Sequence, residues 1–138
     1  MIKEAVFDSG VFIGSQDSRD QYASVASEIL KYFKDKVIFK IYITDYVVVE
    51  TVNFLLKRIG FEKAIIMYDF LLNTDNIEII YADDLSTGKI KEIFNNYKNL
   101  SITDCSLIAL SEKYKIKCIF SFDKHFDAIK GLKRLTAI

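Results

Sequence analysis

Four acidic residues stand where the apolar pattern of the chain starts or stops. Asp8 follows Ala5-Val6-Phe7, and Glu50 lies within Val47-Val48-Val49-Glu50-Thr51-Val52. Asp104 opens the run Cys105 to Leu110, and Asp123 comes after Cys118-Ile119-Phe120. Carboxylates are hard oxygen donors, and several of them gathered at one point suit a hard divalent cation such as Mg²⁺ or Mn²⁺. A lone acid at such a boundary is commonly an exposed cap or turn. The chemistry therefore depends on whether the fold brings the four together.

The elements that must position them alternate. Apolar runs predict short strands over Ala5–Phe7, Ile41–Thr44, Ile77–Tyr81, Lys117–Phe120 and Leu132–Leu135. Helical spacing predicts Tyr22–Phe33, with Tyr22, Val25, Ile29 and Tyr32/Phe33 on one face. A second helix runs from a cap at Thr44 or Asp45 to Ile59, where Gly60 stops it. Others span Phe61–Leu72, Asp84–Tyr97 and Thr103–Tyr114. Strands this apolar, separated by helices, imply an α/β fold: three layers, α/β/α, around a mainly parallel sheet of four to five strands. In such a sheet the strand carboxyl ends and the amino ends of the returning helices share one edge, where ligands bind. Asp8 and Asp123 leave strand ends at that edge, and Asp104 sits in the first turn of a helix that starts there.

Each acid also has a plainer reading. Glu50 belongs to the stripe Tyr46, Glu50, Asn53 and Lys57, which is either a solvent face or a carboxylate and an amide turned into a polar pocket. Ser101-Ile102-Thr103-Asp104 reads as a helix start, where an acid favours the helix dipole without any chemistry. Asp123 fits a turn, Ser121 to His125. Asp8, directly after a buried strand, needs partners or water.

The chain of 138 residues suits one domain, 1–138, with about half of its residues hydrophobic. No apolar stretch reaches the ~18 residues of a membrane span, and the N-terminus lacks a signal-peptide layout, so a soluble cytoplasmic protein is expected. Nineteen basic and nineteen acidic residues leave no net charge, hence no overall basic footprint for nucleic acid. Lys57, Arg58, Lys98 and Lys124 could still form a local basic rim. Cys105 and Cys118 lack zinc spacing and read as small buried hydrophobes in a reducing compartment. One histidine, His125, is too few for an ordinary zinc site.

Taken together, Val6-Phe7-Asp8-Ser9-Gly10-Val11-Phe12-Ile13, Val48-Val49-Glu50-Thr51-Val52-Asn53, Leu100 to Ala109 and Phe120 to Asp127 resemble the PIN domain, a Mg²⁺-dependent ribonuclease fold that includes VapC-type toxins. The resemblance implies that Asp8, Glu50 and Asp104 hold the metal, with Asp123 as fourth acid through water or a second ion. It implies hydroxyls from Thr103 and Ser9 beside the metal; Asn53, the amide of the stripe that carries Glu50, is a supporting candidate from its spacing. Asp127 is a rival to Asp123, and Gly10 departs from the asparagine or small polar residue of many relatives. The implied function is cleavage of single-stranded RNA, as toxin to a cognate antitoxin. A homodimer is also implied, for which Phe54, Tyr68 and Phe70 could supply the interface, although such residues are more often core. The alternative is a non-catalytic PIN-like module that binds RNA or protein. A haloacid-dehalogenase-like phosphatase is disfavoured because Gly10 stands where it needs an aspartate. No Gly-x-Gly-x-x-Gly supports a dinucleotide fold.

Overall fold

The computed structural model describes all of residues 1–138. The chain runs β1 (Ile2–Phe7), α1 (Ser9–Gln16), α2 (Ala23–Lys34), β2 (Ile38–Thr44), α3 (Asp45–Arg58), α4 (Phe61–Asn73), β3 (Ile77–Ile80), α5 (Thr87–Asn96), α6 (Ile102–Tyr114), β4 (Cys118–Phe120) and β5 (Lys133–Leu135). Short 3₁₀ turns at Ala82–Leu85 and Lys124–Ala128 join these elements. All pairings are parallel, in the order β3-β2-β1-β4-β5, with Val6 opposite both Tyr42 and Ile119. Ala5, Val6 and Phe7 are all fully buried in succession. Neighbouring strand residues point to opposite faces, so helices must cover the sheet on both sides. The expected three-layer α/β/α arrangement is observed.

The strand order reverses beside β1: β2 and β3 lie on one side, β4 and β5 on the other. Such a switch point opens a crevice at the strand carboxyl ends. The Asp8 N–H donates to the Phe120 carbonyl at 3.0 Å, so the chain leaving β1 stays tied to β4 as it enters that crevice. Deeper in, Phe7 packs between Phe12 and Phe120, at ring centroid distances of 5.7 and 5.2 Å.

Several local expectations are corrected. The chain after Asp8 forms α1, which two glycines and its shortness hid from a periodicity reading. The buried face of α2 is Ala26, Ile29, Leu30 and Phe33, whereas Tyr22 and Val25 are exposed. The cause is a close crossing: a methyl placed on Gly14 would lie 2.9 Å from the Ala26 Cβ, so two small residues decide how α2 rolls against α1. The expected Asp84–Tyr97 helix is broken at Ser86, whose φ of 67° is left-handed and cannot continue a right-handed helix. Neither Thr44 nor Asp45 caps α3 through its side chain. Asp45 accepts from the Ala82 N–H at 2.8 Å, while the Thr44 hydroxyl meets Ser106 Oγ at 2.8 Å. Ser106 in turn donates to the Thr103 carbonyl at 2.6 Å, so Thr44 must be the donor to Ser106. That buried relay fixes the amino end of α6 to the end of β2. Gly60, at φ 132°, does end α3 as expected.

One buried hydroxyl is left over: Thr51 Oγ1, in the middle of α3, has no hydrogen-bond partner. An unpaired buried polar group costs ~1–3 kcal/mol. Thr51→Val keeps the shape and removes that group, so it should stabilise the fold by ~1 kcal/mol and raise the thermal midpoint by about 4 °C. A lowered midpoint in a thermal melt would mean that the hydroxyl is satisfied after all.

Candidate active site

Asp8, Ser9, Gly10, Glu50, Ser101, Asp104 and Asp123 line one cleft of about 460 Å³ at the carboxyl edge of the sheet. Ile13, Asp20, Tyr22, Phe54 and Phe122 complete its wall. The four acids singled out in the sequence therefore share one hollow.

Each acid is held by local structure. Asp8 caps α1 and is only 8% exposed. Its Oδ1 accepts from the Ser9 N–H at 2.8 Å, and its Oδ2 accepts from the Ser121 hydroxyl at 2.7 Å. Ser9 serves twice, because its own hydroxyl donates to Glu50 Oε2 at 2.6 Å. Glu50 is otherwise exposed on α3. Asp104 forms a reciprocal capping box with Ser101: its N–H donates to Ser101 Oγ, and its Oδ2 accepts from the Ser101 N–H at 2.9 Å. The cap reading and the site reading of Asp104 thus hold together, since Oδ1 stays outside the box. Asp123 Oδ1 accepts from the His125 N–H at 2.9 Å and meets His125 Nδ1 at 2.7 Å.

The electrostatics follow from burial and crowding. Burial, then the charge of Asp104, then that of Glu50 push the Asp8 pKa up to about 7, against the opposing hydrogen bonds from Ser121 and Ser9. Asp104 is likewise raised, by burial first and by Asp123, while the Ser101 bonds pull it down. No three His, Cys, Asp or Glu groups stand close enough to form a finished metal-binding cluster. The hydrogen bonds above bind each carboxylate to a hydroxyl or a backbone N–H, two of them across elements: Asp8 to Ser121 and Glu50 to Ser9.

Other residues are placed differently from expectation. Asn53 is exposed and does not line the cleft, and neither does Thr103, whose carbonyl serves Ser106 instead. Asp127 is outside as well, in a two-point pair with Arg134 at 2.9 and 3.3 Å. None of Lys57, Arg58, Lys98 and Lys124 lines the cleft, which has no lysine or arginine in its lining. Arg58 is committed elsewhere, to Asp17 at 2.8 Å. A larger hollow of about 550 Å³ surrounds Asp17, but that carboxylate, 3% exposed, is consumed by Arg58 and Arg19. Sequence reasoning found Ser101 as the cap beside Asp104 but missed Asp20, Ser121 and Tyr22 as cleft residues or supports. Asp20 accepts from the Tyr22 N–H at 2.8 Å, and an acid just ahead of a helix was the available signal. Both cysteines are free; burial pushes the Cys105 thiol up to about 11, so it is inert at neutral pH.

A family model described as "PIN domain" matches residues 5–132. No curated protein sequence matches the chain. Among solved structures, VapC20 of Mycobacterium tuberculosis, described as a sarcin-ricin loop cleaving toxin, superposes with a TM-score of 0.72 at 16% identity, covering 90% of this chain and 93% of that one. VapBC2 of Rickettsia felis, bound to a DNA fragment from its promoter, gives 0.69 at 13% identity over 96% and 97%. A toxin–antitoxin complex from Klebsiella pneumoniae gives 0.64 at 16% identity over 93% and 94%. At these identities the likeness concerns the fold.

A pH dependence follows from Asp8. Its folded pKa lies above the unfolded value of 3.8, so its contribution to stability is fully present below that value and is lost as pH rises through about 7. In chelator, wild type should therefore fall relative to Asp8→Asn between pH 4 and pH 8, by up to ~4 kcal/mol. Thermal melts of the pair that stay parallel across that range would contradict the crowded, buried carboxylate.

Proposed function

The chain belongs to the PIN domain family, and we propose that it is a divalent-metal-dependent endoribonuclease that hydrolyses phosphodiester bonds of single-stranded RNA. The observation that carries this reading is a cleft shared by Asp8, Glu50, Asp104 and Asp123 with no basic side chain in its lining. A phosphodiester could not approach these acids unaided, because like charges repel. The donor set is all oxygen, which fits Mg²⁺ or Mn²⁺ and suits neither a thiolate-seeking nor an imidazole-seeking metal. Asp8, Glu50 and Asp104, with Asp123, would hold the ion. When bound, it supplies charge neutralisation and Lewis acidity toward the phosphate.

The protein's own part is orientation. Ser9 holds Asp8 and Glu50 through one residue, Ser121 fixes the second oxygen of Asp8, and Ser101 sets the rotamer of Asp104. Near neutral pH and without metal, the Asp8 carboxyl carries a proton part of the time. A cation in the cleft competes with that proton, so binding and deprotonation are linked.

We further assign the chain the role of a toxin neutralised by a cognate antitoxin, in a reducing cytoplasm. This is supported by the toxin and toxin–antitoxin descriptions of the similar structures and by the free cysteines. No helix is long and apolar enough to cross a membrane. A homodimer is supported by α4, where Phe61, Ile65, Tyr68 and Leu72 are exposed at helical spacing beside the buried Ala64, Met67 and Leu71. Of the interface residues expected from sequence, Tyr68 lies on this stripe, Phe70 is half-buried against the core and Phe54 lines the cleft.

Two measurements test these readings. With Mn²⁺, wild type should cut single-stranded RNA, Asp104→Asn should lose at least about a hundredfold in rate, and Mn²⁺ should raise the melting midpoint of wild type but not of Asp8→Asn. RNA left intact by wild type and Asp104→Asn alike would instead leave a non-catalytic PIN-like binding module. Light scattering should give a dimer mass for wild type and a monomer for Ile65→Glu; a wild-type monomer would remove the α4 interface.

A further inference from the structure

The cleft has an aromatic wall that metal binding does not use. Tyr22, just ahead of α2, and Phe122, two residues past β4, stack face to face with centroids 4.3 Å apart and planes 11° from parallel. Phe54 stands one helical turn beyond Glu50 and lines the same hollow. Tyr22 is 38% exposed and Phe54 43%, so both keep ring surface in water that burial would normally remove. Behind them, a Cβ on Gly10 would come within 3.6 Å of the Phe122 ring edge. The aromatic pair is therefore packed against the turn that carries Asp8.

We infer that the Tyr22–Phe122 stack, with Phe54 lining the same hollow, is a binding platform for an unpaired RNA base next to the phosphate that the acids engage; this rests on the ribonuclease reading and adds to it. The argument is one of elimination and fit. Affinity for RNA normally comes from lysines and arginines on the backbone, and this cleft has none. What it offers instead is ring surface, and an aromatic side chain stacked by a base contributes ~1–3 kcal/mol with little regard for base identity. Bases in a duplex are already stacked on each other, so the platform serves only single strands, loops or splayed nucleotides. A purine, with more ring area, gains more than a pyrimidine. The prestacked pair is also preorganised, because Phe122 holds the Tyr22 ring before any ligand arrives.

The experiment measures binding apart from cleavage. A short single-stranded RNA with a central 2-aminopurine is titrated, in Ca²⁺, with full-length wild type, Tyr22→Leu and Tyr22→Trp. Stacking quenches the fluorophore. Tyr22→Leu keeps apolar bulk but loses the ring, so its Kd should rise about tenfold, or ~1.4 kcal/mol, while Tyr22→Trp should bind at least as tightly as wild type. The same sequence in a duplex should bind no more tightly to wild type than to Tyr22→Leu. In a Mn²⁺ cleavage assay the leucine variant should raise KM about tenfold with kcat little changed. If Tyr22→Leu does not fold, Phe122→Leu takes its place in both assays. Equal Kd for all variants, or no quenching by wild type, overturns the platform even if RNA is cut. Ring-dependent binding of a probe that is never cut keeps the platform and retires the ribonuclease.

Discussion

Like charge held in a confined space is the constraint around which the molecule is arranged. Asp8 follows the fully buried end of β1, Ala5 to Phe7, at the point where strand order reverses, and it can leave neither the sheet nor the reach of Asp104 and Glu50. Left alone, such a group would be neutral or displaced. It is kept in place by two short hydrogen bonds, from Ser9 and Ser121, and by the Asp8 N–H bond to Phe120. The relay Thr44–Ser106–Thr103 does the same service for α6, so that Asp104 is presented from a fixed helix start.

The acids are not equally constrained. Asp8 uses both oxygens and Asp104 lends one to a cap, whereas Glu50 has a single contact from a hydroxyl and lies exposed on α3. Asp123 shares one oxygen with His125. Two well-anchored groups and two looser ones make a hollow that is specified in position yet adjustable in closure. That difference explains how four carboxylates can share a cleft without already forming a cluster tight enough to seat an ion.

Topology was the legible part of the sequence. Apolar runs located every strand, and the rule that strand ends and returning helix starts share an edge brought Asp8, Asp104 and Asp123 together without any contact information. Glu50 was ambiguous because helical spacing gives the same stripe for solvent and for a pocket; only the placement of α3 against α1 turns it toward Ser9. Side chains whose role depends on a small neighbour were not legible. Ala26 carries little weight in a hydrophobic pattern, yet its contact with Gly14 turned α2 and left Tyr22 at the cleft. Thr103 and Asn53 stay out of the cleft lining for a related reason, since a shift of one position around a helix moves a polar group to another face. Arg58 is drawn away from the cleft by a buried partner, Asp17, which sequence could not pair with it across the intervening chain.

The crossing at Gly14 has a mechanical meaning. Where α1 and α2 touch through a missing side chain and a single methyl, there is no flexible atom to compress, and a methyl added at Gly14 would meet Ala26 at 2.9 Å. The crossing therefore acts as a hard stop, and the loop from Asp17 to Tyr22 is a short strut braced at one end by the Asp17–Arg58 pair. Inward travel on this side of the groove is blocked by a steric limit, and because Arg58 belongs to α3, the helix that carries Glu50 and Phe54 is tied to the same strut.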